Sequence, residues 1–433
     1  MLEWKNDSNG SYALLIKGAR RVGKSTIVEQ FAIREYKSYI FIDFSRASKQ
    51  VNDLFHDMSD LDFFFLRLQM LFNVDLYERE SVIIFDEVQL QPLARQSIKH
   101  LVKDKRYDYI ETGSLLSIKK NIKDILIPSE ERRISMFPMD YDEFRWALGD
   151  NTTPSLIRNV FEKKISLGEQ VNRKMMQDFR LYMLIGGMPQ AVNEYLLTNN
   201  LSKVDLVKRS ILELYEDDFR KIDDSGKTSL LFNAIPAELS KNSNRFQVSR
   251  VDEHSRNSRV AENIADMVDS MTVNIAYHVN DPNVGFGLNR NPDKYKLFLS
   301  DTGLFITLAF KDKNFTENII YDKLLSDKLG TNLGYVYENM LAQILKTNGN
   351  ELYYYTMRSD TSNNRYEIDF ILSKRDKICP IEVKSSGYKT HTSLDKFSEK
   401  YSRRISEKFL VYTKDLKKEK DIIMLPMYMA PLL

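Results

Sequence analysis

Gly18-Ala19-Arg20-Arg21-Val22-Gly23-Lys24-Ser25-Thr26 sets two glycines with four residues between them and follows the second with a lysine and two hydroxyls. The pattern G-x-x-x-x-G-K-[ST] is a phosphate-binding loop. Glycine lets the backbone bend so that its N–H groups turn inward on phosphate oxygens, and a helix starting there adds its positive end. Lys24 would carry a point charge to the β- and γ-phosphates, and the Ser25 hydroxyl would ligate Mg²⁺. The ligand this chemistry calls for is ATP with Mg²⁺. A second group lies 62 positions after Lys24, where Ser81-Val82-Ile83-Ile84-Phe85 runs into Asp86-Glu87. Asp86 would hold the metal through water, and Glu87 would polarise the attacking water as a base. Two acids ending a buried strand can also be a plain strand end, but pairing with the loop favours the functional reading, and the second acid, available as a base, favours hydrolysis over simple binding. A third group is Thr112 or Ser114 in Ile110-Glu111-Thr112-Gly113-Ser114, either of which could sense the γ-phosphate. The competing reading there is a turn capped by a hydroxyl.

These groups need a sheet to hold them. The apolar runs YALLIK (12–17), SYIFIDF (38–44), SVIIFD (81–86) and YDYIET (107–112) read as strands. Helical patterns lie between them at 25–36, 60–80 and 96–104. Strand and helix in alternation predict a parallel sheet with crossover helices. From 155 to 222 the chain is helical, with a turn at IGGMP (185–189). Two helical patterns, at 229–242 and 258–279, precede a loop at 281–293 and a strand at 295–301, an order that reads as a winged helix. The last part offers the helix GYVYENMLAQILKTNG, strands ELYYYTM, YEIDFILS and CPIEVKS, a helix near 392–406 and a strand FLVYT. The fold class expected is α/β. It divides into a P-loop parallel sheet (1–150), a helical lid (151–227), a winged-helix-like region (228–325) and a small α/β nuclease-like domain (326–433).

Composition narrows the classes. Of 433 residues, 63 are Lys or Arg and 61 Asp or Glu, a net charge of +2 that names no partner. One cysteine, Cys379, excludes an intramolecular disulfide and a cysteine-based zinc site, and five histidines make a His-rich metal cluster improbable. No apolar run reaches the roughly 18 residues of a membrane span, and MLEWKNDSNGSY lacks a signal-peptide core. The expectation is a soluble protein of a reducing compartment, the cytoplasm, with no membrane partner.

GARRVGKST, VIIFDEVQ, ETGSLL, FPMDYDEF and IGGMP, in that order, resemble a prokaryotic family of AAA-type P-loop ATPases. In that family the ATPase is fused to a C-terminal PD-(D/E)XK nuclease-like domain of unknown function. KLFLSDTGL (296–304) and YEIDFIL…PIEVKSSG (366–387) are similar to that C-terminal part. The family has a helix or so before the phosphate loop. Here the loop begins at residue 18, so the N-terminus reads as short and its truncation stays open.

Asp369, then Glu382-Val383-Lys384 thirteen residues on, resembles the D-x(n)-E-x-K core of the nuclease-like fold. Glu382 and Lys384 are two apart, so both project from one strand face, and an antiparallel neighbour can bring Asp369 beside them. Carboxylates so placed make a hard oxygen site for Mg²⁺. Lys384 would orient or deprotonate a water and stabilise developing charge. Such folds often add an acid from a preceding helix, and Glu338 in GYVYENM fits that role. The competing reading is an ion-pair cluster in an inactive fold, or one that binds nucleic acid without cutting it.

Residues 374–420 carry 14 Lys/Arg against 7 Asp/Glu, with Tyr388, Phe397 and Tyr401 interleaved. That suits a phosphate backbone with stacked bases, although a solvated helix face over core aromatics is the plainer reading. Arg250, Arg256 and Arg259 could meet DNA phosphates from the winged region. Arg132 or Arg133 could act in trans in a homo-oligomer, against the alternative of a surface pair. Asp301 in LSDTG is expected to cap a turn. The function expected is ATP binding and hydrolysis, coupled to DNA or RNA through the C-terminal domain. Two alternatives stand beside it: an ATP-licensed metal-dependent nuclease, and a non-hydrolysing nucleotide-switched binding protein.

Overall fold

The N-terminal apolar runs become a five-stranded sheet in the computed structural model, which describes residues 1–113, 129–241, 243, 245–248, 257–312, 318–326, 333–358 and 365–433. The chain divides into two units, Met1–Phe137 and Pro138–Leu433. The divisions expected at 227/228 and 325/326 fall within the second.

In the first unit β1 (Ala13–Gly18), β2 (Ser38–Asp43), β3 (Ser81–Asp86), β4 (Asp108–Gly113) and β5 (Glu131–Met136) are all parallel, in the order β2-β3-β4-β1-β5. Strands buried on both faces read as continuous apolar runs rather than alternating ones, and β3 is buried along its whole length. Its side chains divide between two cores. Ile83 and Phe85 face a phenylalanine-rich cluster with Phe44, Phe55, Phe64 and Phe65. Val82 and Ile84 face Trp4, Ile16, Val28 and Ala32. The helix expected over 60–80 stops at Phe72, where Asn73 turns left-handed at φ 52°, and its start is capped by Asp60, which accepts the Phe63 N–H at 3.0 Å. The helix expected from 96 begins at Pro92, whose fixed φ suits a first turn.

The second unit opens with helices Tyr141–Ala147, Thr153–Glu162, Glu169–Ile185, Pro189–Thr198, Leu201–Ile222 and Lys227–Ser240. The helical pattern expected over 258–279 splits in two. The helix Asn257–Asp269 ends, Met271 turns at φ 59°, and Val273–Val279 is a strand, β6. The β-branched and aromatic residues of TVNIAYHV account for the change. The loop expected at 281–293 contains a short helix, Phe286–Asn289, and the start of β7 (Arg290–Leu299). β6 and β7 pair antiparallel with a bulge between Tyr277 and His278, and β6 also pairs parallel with β8 (Leu352–Arg358). The sheet β7-β6-β8-β9 is completed by β9 (Arg365–Ile368). At Asp369 the chain leaves that sheet and enters a second one, of order β10-β11-β12-β14-β13. Its strands are β10 (Phe370–Lys374), β11 (Lys377–Val383), β12 (Lys408–Tyr412), β13 (Lys417–Glu419) and β14 (Ile422–Pro426), the last two unforeseen.

The helix Gly334–Thr347, amphipathic in sequence, is buried from Val336 through Leu345. Its polar residues are therefore partnered: Asn339 Oδ1 accepts the Leu299 N–H at 2.9 Å and Gln343 Oε1 the Thr302 N–H at 2.8 Å. They dock the helix onto the end of β7.

Candidate functional site

The phosphate-loop residues collect at the C-terminal ends of β1, β3 and β4. A Cβ on Gly18 would meet the Met136 carbonyl oxygen of β5 at 2.5 Å, so neighbouring backbone excludes a side chain there. Gly23 sits at φ 100° and opens the helix Lys24–Glu35. Ala19 and Val22 are buried in the loop, Arg21 stands left-handed at φ 67°, and Thr26 is exposed one residue beyond Ser25. Lys24 is only 6% exposed, and its ammonium donates to the carbonyls of Gly18 at 3.1 Å and Ala19 at 3.0 Å. Burial lowers its pKa; the charges of Glu87 and Asp86 oppose this, and that of Arg20 adds to it.

Three hydroxyl and carboxyl groups expected from separate parts of the sequence form one network. Ser25 Oγ donates to both Asp86 oxygens, at 2.8 and 3.0 Å. Thr112 Oγ1 donates to Asp86 Oδ1 and accepts the Glu87 N–H at 3.3 Å. Glu87 is left-handed at φ 54°, which turns the chain out of the line of β3, and its carboxylate accepts from Gln89 Nε2. Thr112 is thus brought to the site, whereas Ser114 lies outside the described residues. Gln89 was not foreseen; its position two residues after Glu87 is the only signal. Equally unforeseen is the opposite face of β4, where Glu111 is wholly buried. Arg95 pairs with it at 2.6 Å and with Glu131 of β5 at 2.8 Å. Burial pushes Glu111 up to about 8, against the pull of Arg95. A charged residue directly after the apolar pair Tyr109-Ile110 was the available clue. Arg132 and Arg133 are half-exposed on β5, Arg132 over the Tyr12 ring and Arg133 paired with Glu131 at 2.7 Å.

In the second unit the expected acids also converge. Asp369 stands at the switch between the two sheets, and the register Phe370↔Ile381 sets it next to Glu382. Its Oδ2 accepts the Val383 N–H at 2.7 Å. Glu338, Glu367 and Asp369 offer carboxylate oxygens all within 4.8 Å of one another. Lys384 Nζ lies 2.9 Å from Glu382 Oε1, while Glu382 Oε2 is buried with no hydrogen-bond partner among the described residues. Burial raises Asp369 well above the usual carboxylate range, and Glu338, Glu367 and Glu382 raise it further against Lys296. Two members were missed. Glu367 is two residues before Asp369, a same-face spacing visible in the sequence. Lys296 arrives from β7, and its ammonium bonds Glu338 at 2.7 Å and Glu367 at 2.5 Å. Of the aromatics offered for base stacking, Phe397 is core, buried against Tyr355 and Tyr401, while Tyr401 and Tyr388 are partly buried, Tyr388 packing on Tyr412. Cys379 is buried beside Ser406. Arg250 and Arg256, and the Arg259 side chain, fall outside the described residues.

IGGMP and LSDTG meet. Asp301 caps the helix Thr302–Ala309 by accepting the Leu304 N–H at 2.8 Å, and it also accepts the Gly187 N–H at 2.6 Å. A Cβ on Gly187 would meet the Met139 carbonyl oxygen at 2.1 Å, and one on Gly186 would meet Asp301 at 2.3 Å.

Residues 10–145 match a family described as an AAA domain, and residues 176–314 and 333–429 match two domains of unknown function, DUF8612 and DUF4143. No curated protein matches the chain. Similar solved structures include Cdc6p from Pyrobaculum aerophilum, at 12% identity over 76% of this chain and 91% of that one, with a TM-score of 0.23. Protein VC1899 from Vibrio cholerae is 9% identical over 97% and 95%, with a TM-score of 0.18. The Hef helicase domain of Pyrococcus furiosus is 10% identical over 95% and 88%, also at 0.18. At such TM-scores the likeness carries no argument. The match over 10–145, with the phosphate loop and parallel sheet, makes the N-terminal part an AAA-type P-loop ATPase domain. Among the described residues no helix is long and apolar enough to cross a membrane.

Proposed function

We propose that the N-terminal site binds ATP with Mg²⁺ and hydrolyses it. The observation that carries this reading is the network Ser25–Asp86–Thr112, drawn from one helix and two strands and set beside the buried Lys24. Phosphate oxygens would replace the carbonyls of Gly18 and Ala19 as partners of the Lys24 ammonium. The N–H groups of the loop from Gly18 to Thr26 would line the phosphates. Ser25 and Asp86 are hard oxygen donors that would hold Mg²⁺, and the ion would supply positive charge to the phosphates. Glu87, turned out of the strand and held by Gln89, would take a proton from water. Thr112, or Ser114 beyond it, would contact the γ-phosphate. Release of phosphate from ATP, dependent on Mg²⁺ and lost in Glu87→Gln, tests this. Nucleotide binding with no turnover, with or without DNA or RNA, would leave only the nucleotide-switched alternative.

A second reading is favoured by the approach of the Glu338, Glu367 and Asp369 oxygens. Glu338, Asp369 and Glu382 would hold a divalent ion and Lys384 would orient a water, giving metal-dependent cleavage of DNA or RNA in the cytoplasm. The helix pair before the β6–β7 hairpin supports a winged-helix role in reaching nucleic acid, with Arg259 on the second helix. Metal-dependent cleavage that disappears in Glu382→Ala is the expected result; cleavage that persists in that variant contradicts the reading.

A further inference from the structure

We propose that Lys296 is a built-in cation of the C-terminal carboxylate cluster, standing where a divalent ion would otherwise bind and competing with it. The proposal rests on the metal reading of that cluster. Lys296 is 4% exposed, and its ammonium lies 2.7 Å from Glu338 and 2.5 Å from Glu367. Both residues belong to the trio gathered within 4.8 Å, so the ammonium is bonded to two of the three carboxylates that approach one another there. Carboxylates that close repel one another, and a proton or a cation among them offsets the repulsion. Lys296 supplies the cation from a fixed position. Its strand, β7, is tied to the Glu338 helix through Asn339 on Leu299 and Gln343 on Thr302.

The cluster nevertheless keeps capacity for a second cation. Glu382 is 4% exposed, one of its oxygens takes Lys384 at 2.9 Å, and the other is buried without a hydrogen-bond partner among the described residues. The register Phe370↔Ile381 sets Glu382 next to Asp369, on which it also acts electrostatically, so Glu382 borders the same cluster. Four carboxylates, Glu338, Glu367, Asp369 and Glu382, therefore face the ammonium groups of Lys296 and Lys384. A divalent ion still gains by entering, but it must first break the Lys296 contacts to Glu338 and Glu367. Metal affinity is set by that competition, and removing the lysine relieves it.

Mn²⁺ titration by calorimetry on the full chain, without nucleotide, tests this. Asp86→Asn is carried in every protein so that the N-terminal acids do not contribute. Lys296→Gln should bind one Mn²⁺ about tenfold or more tightly than the parent, and adding Glu382→Ala should abolish the gain. A thermal melt checks folding. If Lys296→Gln unfolds because its acids are left unpaired, Lys296→Gln/Glu367→Gln decides, since it removes one carboxylate with the lysine and keeps Glu338, Asp369 and Glu382. Equal or weaker binding by the variants overturns the role of Lys296 while the metal reading stands. No Mn²⁺ binding by any of the proteins overturns both.

Discussion

The ring nitrogen Nε2 of His278 accepts the Thr356 N–H at 3.2 Å, which only an unprotonated nitrogen can do. Burial lowers the pKa of this imidazole to about 4, with the nearby Lys294 charge acting in the same direction and the Thr356 and Asn280 contacts opposing. In the unfolded chain the group titrates near the usual value of about 6.5. Between those two values the unfolded chain binds more protons, so stability rises with pH across about 4 to 6.5 and falls as the solution is acidified through it. The expected result is that the thermal stability of wild type over His278→Gln shrinks as pH drops from 7 to 4; parallel profiles would contradict it. Residues of this kind show where sequence reading ends. The pairs Lys24-Ser25 and Asp86-Glu87 are legible because each sits in a short local motif. Lys296 is not, because it lies 42 residues before Glu338, and only the pairing of β7 with β6 and its docking on the Glu338 helix bring the two together.

Elements were legible where periodicity and composition agree. β3 matches its expected span because a parallel strand buried on both faces is a continuous apolar run. β6 was hidden because its residues continue an apolar pattern begun by the helix Asn257–Asp269, and the left-handed turn at Met271 leaves no glycine or proline to mark it. The break between β9 and β10 was hidden because one stretch, YEIDFILS, serves two sheets. Asp301 joins elements that sequence reading held apart, and the capping role expected for it is the one observed. Asp301→Ala would leave the buried N–H groups of Gly187 and Leu304 without their acceptor. The expected loss of unfolding free energy is about 3 kcal/mol by denaturant titration, since each orphaned buried donor costs about 1–3 kcal/mol. A change under about 0.5 kcal/mol, as at an ordinary surface site, would show that the junction does not depend on the carboxylate.

At the scale of the whole molecule, an AAA-type ATPase domain precedes a longer unit that carries a carboxylate cluster at the switch between two sheets. The ATPase class was legible from motif order, because a phosphate loop and an acid-terminated strand occur together only where a sheet can align their ends. The sheet that combines β6 and β7 with β8 and β9 was not, because a parallel pairing between strands about 76 residues apart, as in Ala276↔Leu352, leaves no local trace. The central claim is that the Asp86-Glu87 pair separates metal holding from catalysis. It is tested most directly by measuring ATP binding and Mg²⁺-dependent phosphate release side by side in wild type and Glu87→Gln. The account predicts that the variant binds ATP as wild type does while turnover falls by about 10²-fold or more. Turnover in Glu87→Gln equal to that of wild type would contradict it.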